Sequence, residues 1–254
     1  MPLPIPIWAV FALTLAAVLL SIELGYRYGM RSARGAEKEA PVGTMVGATL
    51  VLLAFMLTFT FSMAEGSFHA RQVAIREQAS AIRAAYLRAA LIPEPQRSEV
   101  RRILLAYVDE RLQWAGAADY DVGQTSKQLL DQLWAQAVQV GAASPDSHTV
   151  ALFIQSVNEV IKLHEERDVL RAQIRIPTAF WVVLYTMAIL AFAVIGYHGG
   201  VTGTIRSPVL LAVAITFSLV IMLIVDVNQP GRGWVQVSQD PLIGLRASLT
   251  QSKP

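Results

Sequence analysis

Cysteine is absent from all 254 residues, which excludes disulfides and thiolate chemistry. Charge is scarce too: 16% of residues are Asp, Glu, Lys or Arg, against about 25% in a typical soluble domain. The shortage is concentrated in four runs without a charged side chain, Pro2 to Ile22, Val42 to Ala64, Pro177 to Tyr197 and Ser207 to Val225. Each approaches the roughly 20 residues a helix needs to cross the hydrocarbon core of a bilayer. Enzyme signatures are missing as well: there is no phosphate-cradling glycine loop, no GxSxG and no HExxH. "GYHGGVTG" is rich in glycine, but it joins two apolar runs rather than a strand to a helix. No enzymatic activity and no cofactor are expected. A net charge of +2 gives nucleic acid no reason to bind. The first apolar run lacks a basic leader and is too long for the apolar part of a signal peptide, so it is expected to remain as a span.

These runs make the chain an all-α membrane protein with four transmembrane helices, in contact with the lipid bilayer, and a mean hydropathy of +0.45 agrees. Residues 1–64 form a first transmembrane hairpin, with spans at about 5–28 and 42–64. Residues 177–227 form a second, with spans at about 177–197 and 207–226, turning through "GYHGGVTGTIRSP". Pro2, Pro4 and Pro6 lead into the first span, where a missing N–H costs nothing. Gly43 and Gly47, four residues apart, suit close helix contact in the membrane. Residues 228–254 are a tail.

Between the hairpins, residues 65–176 hold 13 of the 21 basic and 14 of the 19 acidic residues. This insert has helical periodicity. Ile75, Ala79, Ile82, Tyr86 and Ala90 form one apolar stripe, and Pro93 and Pro95 end that helix. Val100, Ile103, Leu104, Tyr107, Val108 and Leu112 mark a second helix over about 96–114. "AGAADYDVG" is a loop, and a third helix covers about 125–140. Ser147 is placed to cap a fourth, over about 148–175, whose stripe is Val150, Ile154, Val157, Ile161 and His164. The insert is therefore a helical-bundle extension between spans two and three. Its first and last helices continue transmembrane helices, which would couple the bundle rigidly to the membrane. The tail, with a short alternating segment and a weakly amphipathic turn or two, buries too little surface to hold a shape alone. It is expected to dock on the insert or on a neighbouring subunit.

Orientation follows from Lys and Arg near the span ends. Arg27, Arg31, Arg34, Lys38 and Arg206 lie on one side. Arg71, Arg76, Lys162, Arg167, Arg171, Arg175 and Arg232 lie on the other. Seven against five places the insert and both termini in the cytoplasm, although the first span, taken alone, argues the reverse.

Several stretches resemble the bestrophin-like family of bacterial inner-membrane proteins. They are "ELGYRYGMRS" (23–32), "LAFMLTFTFSMA" with the nearby "AR" at 70–71, "REQASAIRAAYLRAALIP" (76–93), "LLAYVDERL" (104–112), "VNEVIKLHEERDVLRAQIRIP" (157–177) and "IVDVNQPGRGWVQVSQDPL" (224–242). They follow in order over nearly the whole chain. The resemblance implies a distant likeness to bestrophins, pentameric anion channels with four spans and a helical cytosolic extension. In bestrophins the second span lines the pore and supplies an apolar, aromatic neck. It also implies a homo-oligomer, a pentamer by the same likeness, with an inorganic anion as the permeating partner. The dense acidic cluster of calcium-gated bestrophins has no counterpart here. "HEERD" at 164–168 comes nearest, so calcium control is not expected.

In that setting Phe55, Phe59 and Met63, at i, i+4 and i+8, become the pore and gate candidates, since an apolar ring at this spacing can gate by dewetting. Ordinary packing or lipid contact is the alternative for the same residues. Thr58, Ser62 and Glu65 form an adjacent polar stripe, wet or hydrogen-bonded between helices. Glu65, Arg71, Arg76 and Arg83 are the charge-selectivity candidates, the three arginines favouring anions if they form rings; a solvated bundle face is the alternative. Glu23 and Asp226 are ionisable near membrane depth. Glu23 is spaced to pair with Arg27. Asp226 either caps the following turn or pairs with a basic residue of the insert. His164, on an apolar stripe, is expected to be a satisfied core residue. His69, Glu165 and Glu166 do not make a metal site, because they fall at different heights along their helices. The competing functional reading is a non-conducting membrane scaffold or sensor whose bundle binds a partner protein. A pH-dependent transporter using Glu23 and Asp226 is a third.

Overall fold

The computed structural model describes residues 6–32, 42–113, 122–173, 176–203, 208–229 and 233–251. Pro2, Pro4, Arg34, Lys38, Arg175, Arg206, Arg232 and most of the expected loop at 115–123 lie outside them. Among the described residues there are eight α-helices and no strand: α1 (Ile7–Ser32), α2 (Val42–Arg88), α3 (Gln96–Gln113), α4 (Val122–Ala143), α5 (His148–Gln173), α6 (Thr178–Thr202), α7 (Pro208–Asn228) and α8 (Asp240–Gln251). The fold is all-α. Helices α1, α2, α6 and α7 are long and apolar enough to cross a membrane.

The chain divides into two compact units. The first comprises residues 1–66 and 175–229, the second residues 67–174 and 230–254.

The first unit holds α1, the start of α2, α6 and α7. Pro6 opens α1, its carbonyl accepting the Ala9 N–H at 2.8 Å. Pro177 precedes α6, which closes at Gly203 with φ of 69°, a left-handed position suited to glycine. Lipid is as apolar as leucine, so helices here associate through close packing and hydrogen bonds rather than by hiding apolar surface from water. Two pairs of glycines make this possible. A Cβ on Gly25 or Gly29 would run into the α6 backbone at Ala193 or Tyr197. A Cβ on Gly196 or Gly200 would run into the α1 backbone at Ile22 or Tyr26. Thr14 and Tyr185 hydroxyls add a hydrogen bond of 3.0 Å across the same helix pair, and Ser21 Oγ donates to the Ile189 carbonyl. Val18, Leu53, Leu184, Phe192, Phe217 and Ile221 form the core beside this seam.

The glycines that carry this contact are not those singled out from the sequence. A Cβ on Gly43 would come no nearer than 3.8 Å to the His198 ring, and one on Gly47 would meet nothing within 4 Å among the described residues. Likewise "GYHGGVT", expected to belong to the hairpin turn, is the last part of α6. Its glycines serve helix packing, not chain reversal, so α6 runs five residues past the expected end of the span.

The second unit holds the rest of α2 with α3, α4, α5 and α8. α2 is an unbroken helix of 47 residues, about 70 Å long at 1.5 Å per residue. It ends in a short 3-10 turn, Ala89–Leu91, before Pro93. Ser147 caps α5, its hydroxyl accepting the Val150 N–H at a long 3.4 Å. The core combines Ile82, Ala85, Val100, Leu104, Tyr107, Leu133, Phe153 and Val157. The three expected stripes supply much of it, with Leu130, Leu133, Ala137 and Val140 from α4; Ala90 turns outward and α8 adds Leu242, Leu245 and Leu249. The tail thus forms a three-turn helix rather than one or two loose turns. Its leucines at i, i+3 and i+7 share a face, and α3 provides the surface that this face covers. Arg246 pairs with Asp109 across the contact.

Candidate functional site

α2 is the least covered of the four spans within its unit. At 100° per residue, Phe55, Thr58, Phe59, Ser62 and Met63 share one side of it. Phe55 is 69% exposed and Phe59 46%. Met63 is half-buried, and Thr58, Ser62 and Glu65 are exposed. The Phe59 ring reaches Phe180 of α6 at 5.8 Å between centroids, which fixes one edge of the ring. Thr58 donates its hydroxyl proton to the Ala54 carbonyl at 2.9 Å, leaving its oxygen lone pairs outward. Thr60, on the opposite side, does the same to Met56 and is fully buried. The helix therefore has a covered side bearing Leu53 and Thr60 and a bare side bearing phenylalanine, serine and threonine. A bare, mixed apolar and hydroxylic face can line a water-filled conduit, meet lipid or meet another subunit.

The arginines of the second unit fall into two groups. Arg76 and Arg83, seven residues apart, share a face of α2 and are exposed. Arg71, five residues before Arg76, is turned about 140° from it and is only 9% exposed. Helix phase thus separates three residues that look alike in sequence. Glu23 accepts a hydrogen bond from Arg27 Nε at 2.7 Å, the i,i+4 pair its spacing suggests. Asp226 is 3% exposed in the last turn of α7, and its carbonyl accepts the Gln229 N–H at 3.2 Å.

His164 is buried in the second unit, where its Nδ1 lies 2.9 Å from the Tyr107 hydroxyl, as expected of a satisfied core residue. Sequence reasoning missed what surrounds it. Gln78 joins Tyr107 to Arg167, with Asp168 and Arg111 alongside. One signal was available: Gln78 is a polar residue between Ile75, Ala79 and Ile82, on the apolar side of α2. Burial places Tyr107 high, its phenol pushed up to about 12, so it stays protonated and can donate. Among the described residues, no three His, Asp or Glu side chains gather as a metal-holding group.

A family model described as the bestrophin-like domain matches residues 11–242. The chain belongs to the bestrophin-like family. Curated proteins provide no match. Solved structures show the same fold. A point-mutant bacterial bestrophin homologue from Klebsiella pneumoniae matches with a TM-score of 0.67 at 14% identity, over 92% of this chain and 97% of that one. A second mutant of that homologue gives 0.66 at 15% identity, over 96% of each chain. The homologue phased on zinc gives 0.57 at 14% identity, over 96% of this chain and 98% of that one. At such identities the likeness establishes the architecture of this bestrophin-like protein. The roles of its residues have to be argued from its own side chains.

Proposed function

We propose that this bestrophin-like protein is a homo-oligomeric, anion-preferring channel of the bacterial inner membrane, with α2 lining the pore. The observation that carries the reading is the bare side of α2, where Phe55 and Phe59 remain exposed although three other apolar helices are available to cover them. With four spans per chain, conduction calls for a ring of subunits, five if the bestrophin likeness holds. In such a ring Phe55, Phe59 and Met63 repeat around the axis. A narrow apolar ring expels water and blocks ions until it widens by a small amount. Thr58 and Ser62 supply hydroxyl dipoles beside it. Glu65 would sit at the end of this face, and rings of Arg76 and Arg83 would concentrate anions beyond the bilayer. Arg71, being buried, contributes field rather than contact. The excess of basic residues flanking the insert supports placing the bundle and both termini in the cytoplasm. Glu23, paired locally with Arg27, and buried Asp226 serve here as structural ionisable groups.

Planar-bilayer recording of the purified protein under a KCl gradient tests this directly. Unitary currents whose reversal potential lies towards the chloride equilibrium value are expected. Phe59→Ala should change conductance or open probability several-fold, with the oligomer intact. A silent bilayer containing folded oligomer overturns the channel reading in favour of a scaffold or sensor. Currents indifferent to Phe59→Ala overturn this pore face.

A further inference from the structure

Within the second unit a hydrogen-bonded chain ties three helices together. Arg167 Nη1, from α5, donates to Gln78 Oε1, from α2, at 2.6 Å. Gln78 Nε2 donates to the Tyr107 hydroxyl, from α3, at 2.7 Å. That hydroxyl lies 2.9 Å from His164 Nδ1, and His164 Nε2 lies 3.4 Å from Asp168 Oδ2, both back on α5. All but Asp168 are buried.

The direction of every bond follows from the first. A guanidinium only donates, so the Gln78 oxygen must face Arg167 and its NH2 must face Tyr107. The Tyr107 oxygen accepts that N–H, and its own proton is then directed at His164 Nδ1. Nδ1 must therefore be bare, and the single proton of the ring sits on Nε2, towards Asp168. The chain closes only with neutral His164 in this tautomer. A second proton on the ring would place N–H against a hydroxyl that already receives one donor. The Tyr107 proton would then have no acceptor in the chain, and an unmet buried polar group is costly.

The surroundings make the second proton harder to gain. Burial acts most strongly and lowers the proton affinity of His164; Arg111 on α3, Arg167 on α5 and Lys127 on α4 lower it further. Asp168 on α5 opposes them. Glu110 on α3 acts on Tyr107, and α2 contributes the neutral Gln78. The Arg111 guanidinium lies 5.9 Å from the centre of the Tyr107 ring.

We propose that His164 is an acid-sensitive latch: its protonation breaks the Gln78–Tyr107–His164 chain and frees α2 from α3 and α5 in the bundle. The sign follows from linkage. The folded chain binds this proton less readily than the unfolded chain, whose histidine has the ordinary value near 6.5. The latch is therefore fully effective above pH 6.5 and is lost as pH falls below it towards the lowered folded value. Each pH unit within that window can raise the population of the opened form by up to about tenfold. The latch does not depend on whether the chain conducts.

Amide hydrogen exchange of the full chain in lipid nanodiscs, at pH 7.5 and 5.5 and corrected for intrinsic rates, tests the latch. Protection of residues 75–86 should fall several-fold or more at the lower pH, and His164→Gln should abolish that pH dependence. Equal protection at both pH values, or the same loss in His164→Gln, overturns the proposal. Should the variant not fold, nitrogen NMR of histidine-labelled wild type decides. The expected result is a bare Nδ1 at pH 7.5 and a His164 midpoint below 6.5. Protonated Nδ1 at pH 7.5, or a midpoint at or above 6.5, overturns it.

Discussion

The two units solve the packing problem by opposite means. In the first, α1 and α6 meet where side chains are missing: Gly25, Gly29, Gly196 and Gly200 let backbone touch backbone. In the second, helices meet through bulk, with Phe153, Tyr107, Leu133 and Leu242 fully buried. The solvent accounts for the difference. A bundle in water gains by removing large apolar side chains from it. A helix in lipid gains nothing that way, so proximity, dispersion and hydrogen bonds have to serve. Polar groups follow the same division. The first unit meets several of its hydroxyls within their own helix, as in Thr58 to Ala54 and Ser218 to Ala214, and those of Thr14 and Ser21 by single bonds from α1 to α6. The second unit buries a chain running through Gln78, Tyr107 and His164 and tolerates it because its members satisfy one another.

The most damaging way to test this contrast is Gly25→Leu. No rotamer can avoid the α6 backbone, so loss of the folded protein is expected, seen as absence of a monodisperse peak in size-exclusion chromatography. Gly66→Ala is its control. A Cβ there would meet nothing within 4 Å among the described residues, and a gain of about 0.5–1 kcal/mol from helix propensity is expected. If Gly25→Leu folds as well as Gly66→Ala, the seam does not hold α1 to α6. In the bundle, Phe153→Ala should cost about 3–5 kcal/mol, since the ring is fully buried and leaves a cavity. Denaturant unfolding followed by circular dichroism in micelles measures it, and a loss under about 1 kcal/mol would mean the bundle core is looser than its packing indicates. The smallest effect belongs to Arg246→Ala. Its partner Asp109 is equally open to solvent, and water and salt screen such pairs. The melting temperature should hardly move; a large drop would show that the ion pair, rather than the α8 leucines, fastens the tail.

Much of this was legible because some residues can take only one environment. The uncharged runs had to be spans, and Pro93 and Ser147 had to fall at helix ends. The stripe Val100, Ile103, Leu104, Tyr107 and Val108 had to face a core. Less legible were features that depend on what lies opposite. Gly43 and Gly47 look as suitable for close contact as Gly25 and Gly29, and only the neighbouring backbone distinguishes them. Leu242, Leu245 and Leu249 are too few to declare a helix until α3 offers them a surface. On the candidate pore face, the i,i+4 spacing of Phe55 and Phe59 was visible at once. Their exposure was not, because it depends on which side of α2 the neighbouring helices cover.

The sequence by itself determined the class of this protein: four apolar spans, a charged helical insert and family membership written along nearly the whole chain. These are properties of composition and period, and they follow from solvent preference residue by residue. Only the tertiary structure decided which glycines let helices touch, which arginine of α2 is buried and how Gln78 comes to orient Tyr107 towards His164. Each of these depends on the phase of one helix against another. Helix phase is set by the best joint packing of residues far apart in sequence, and no local pattern records it.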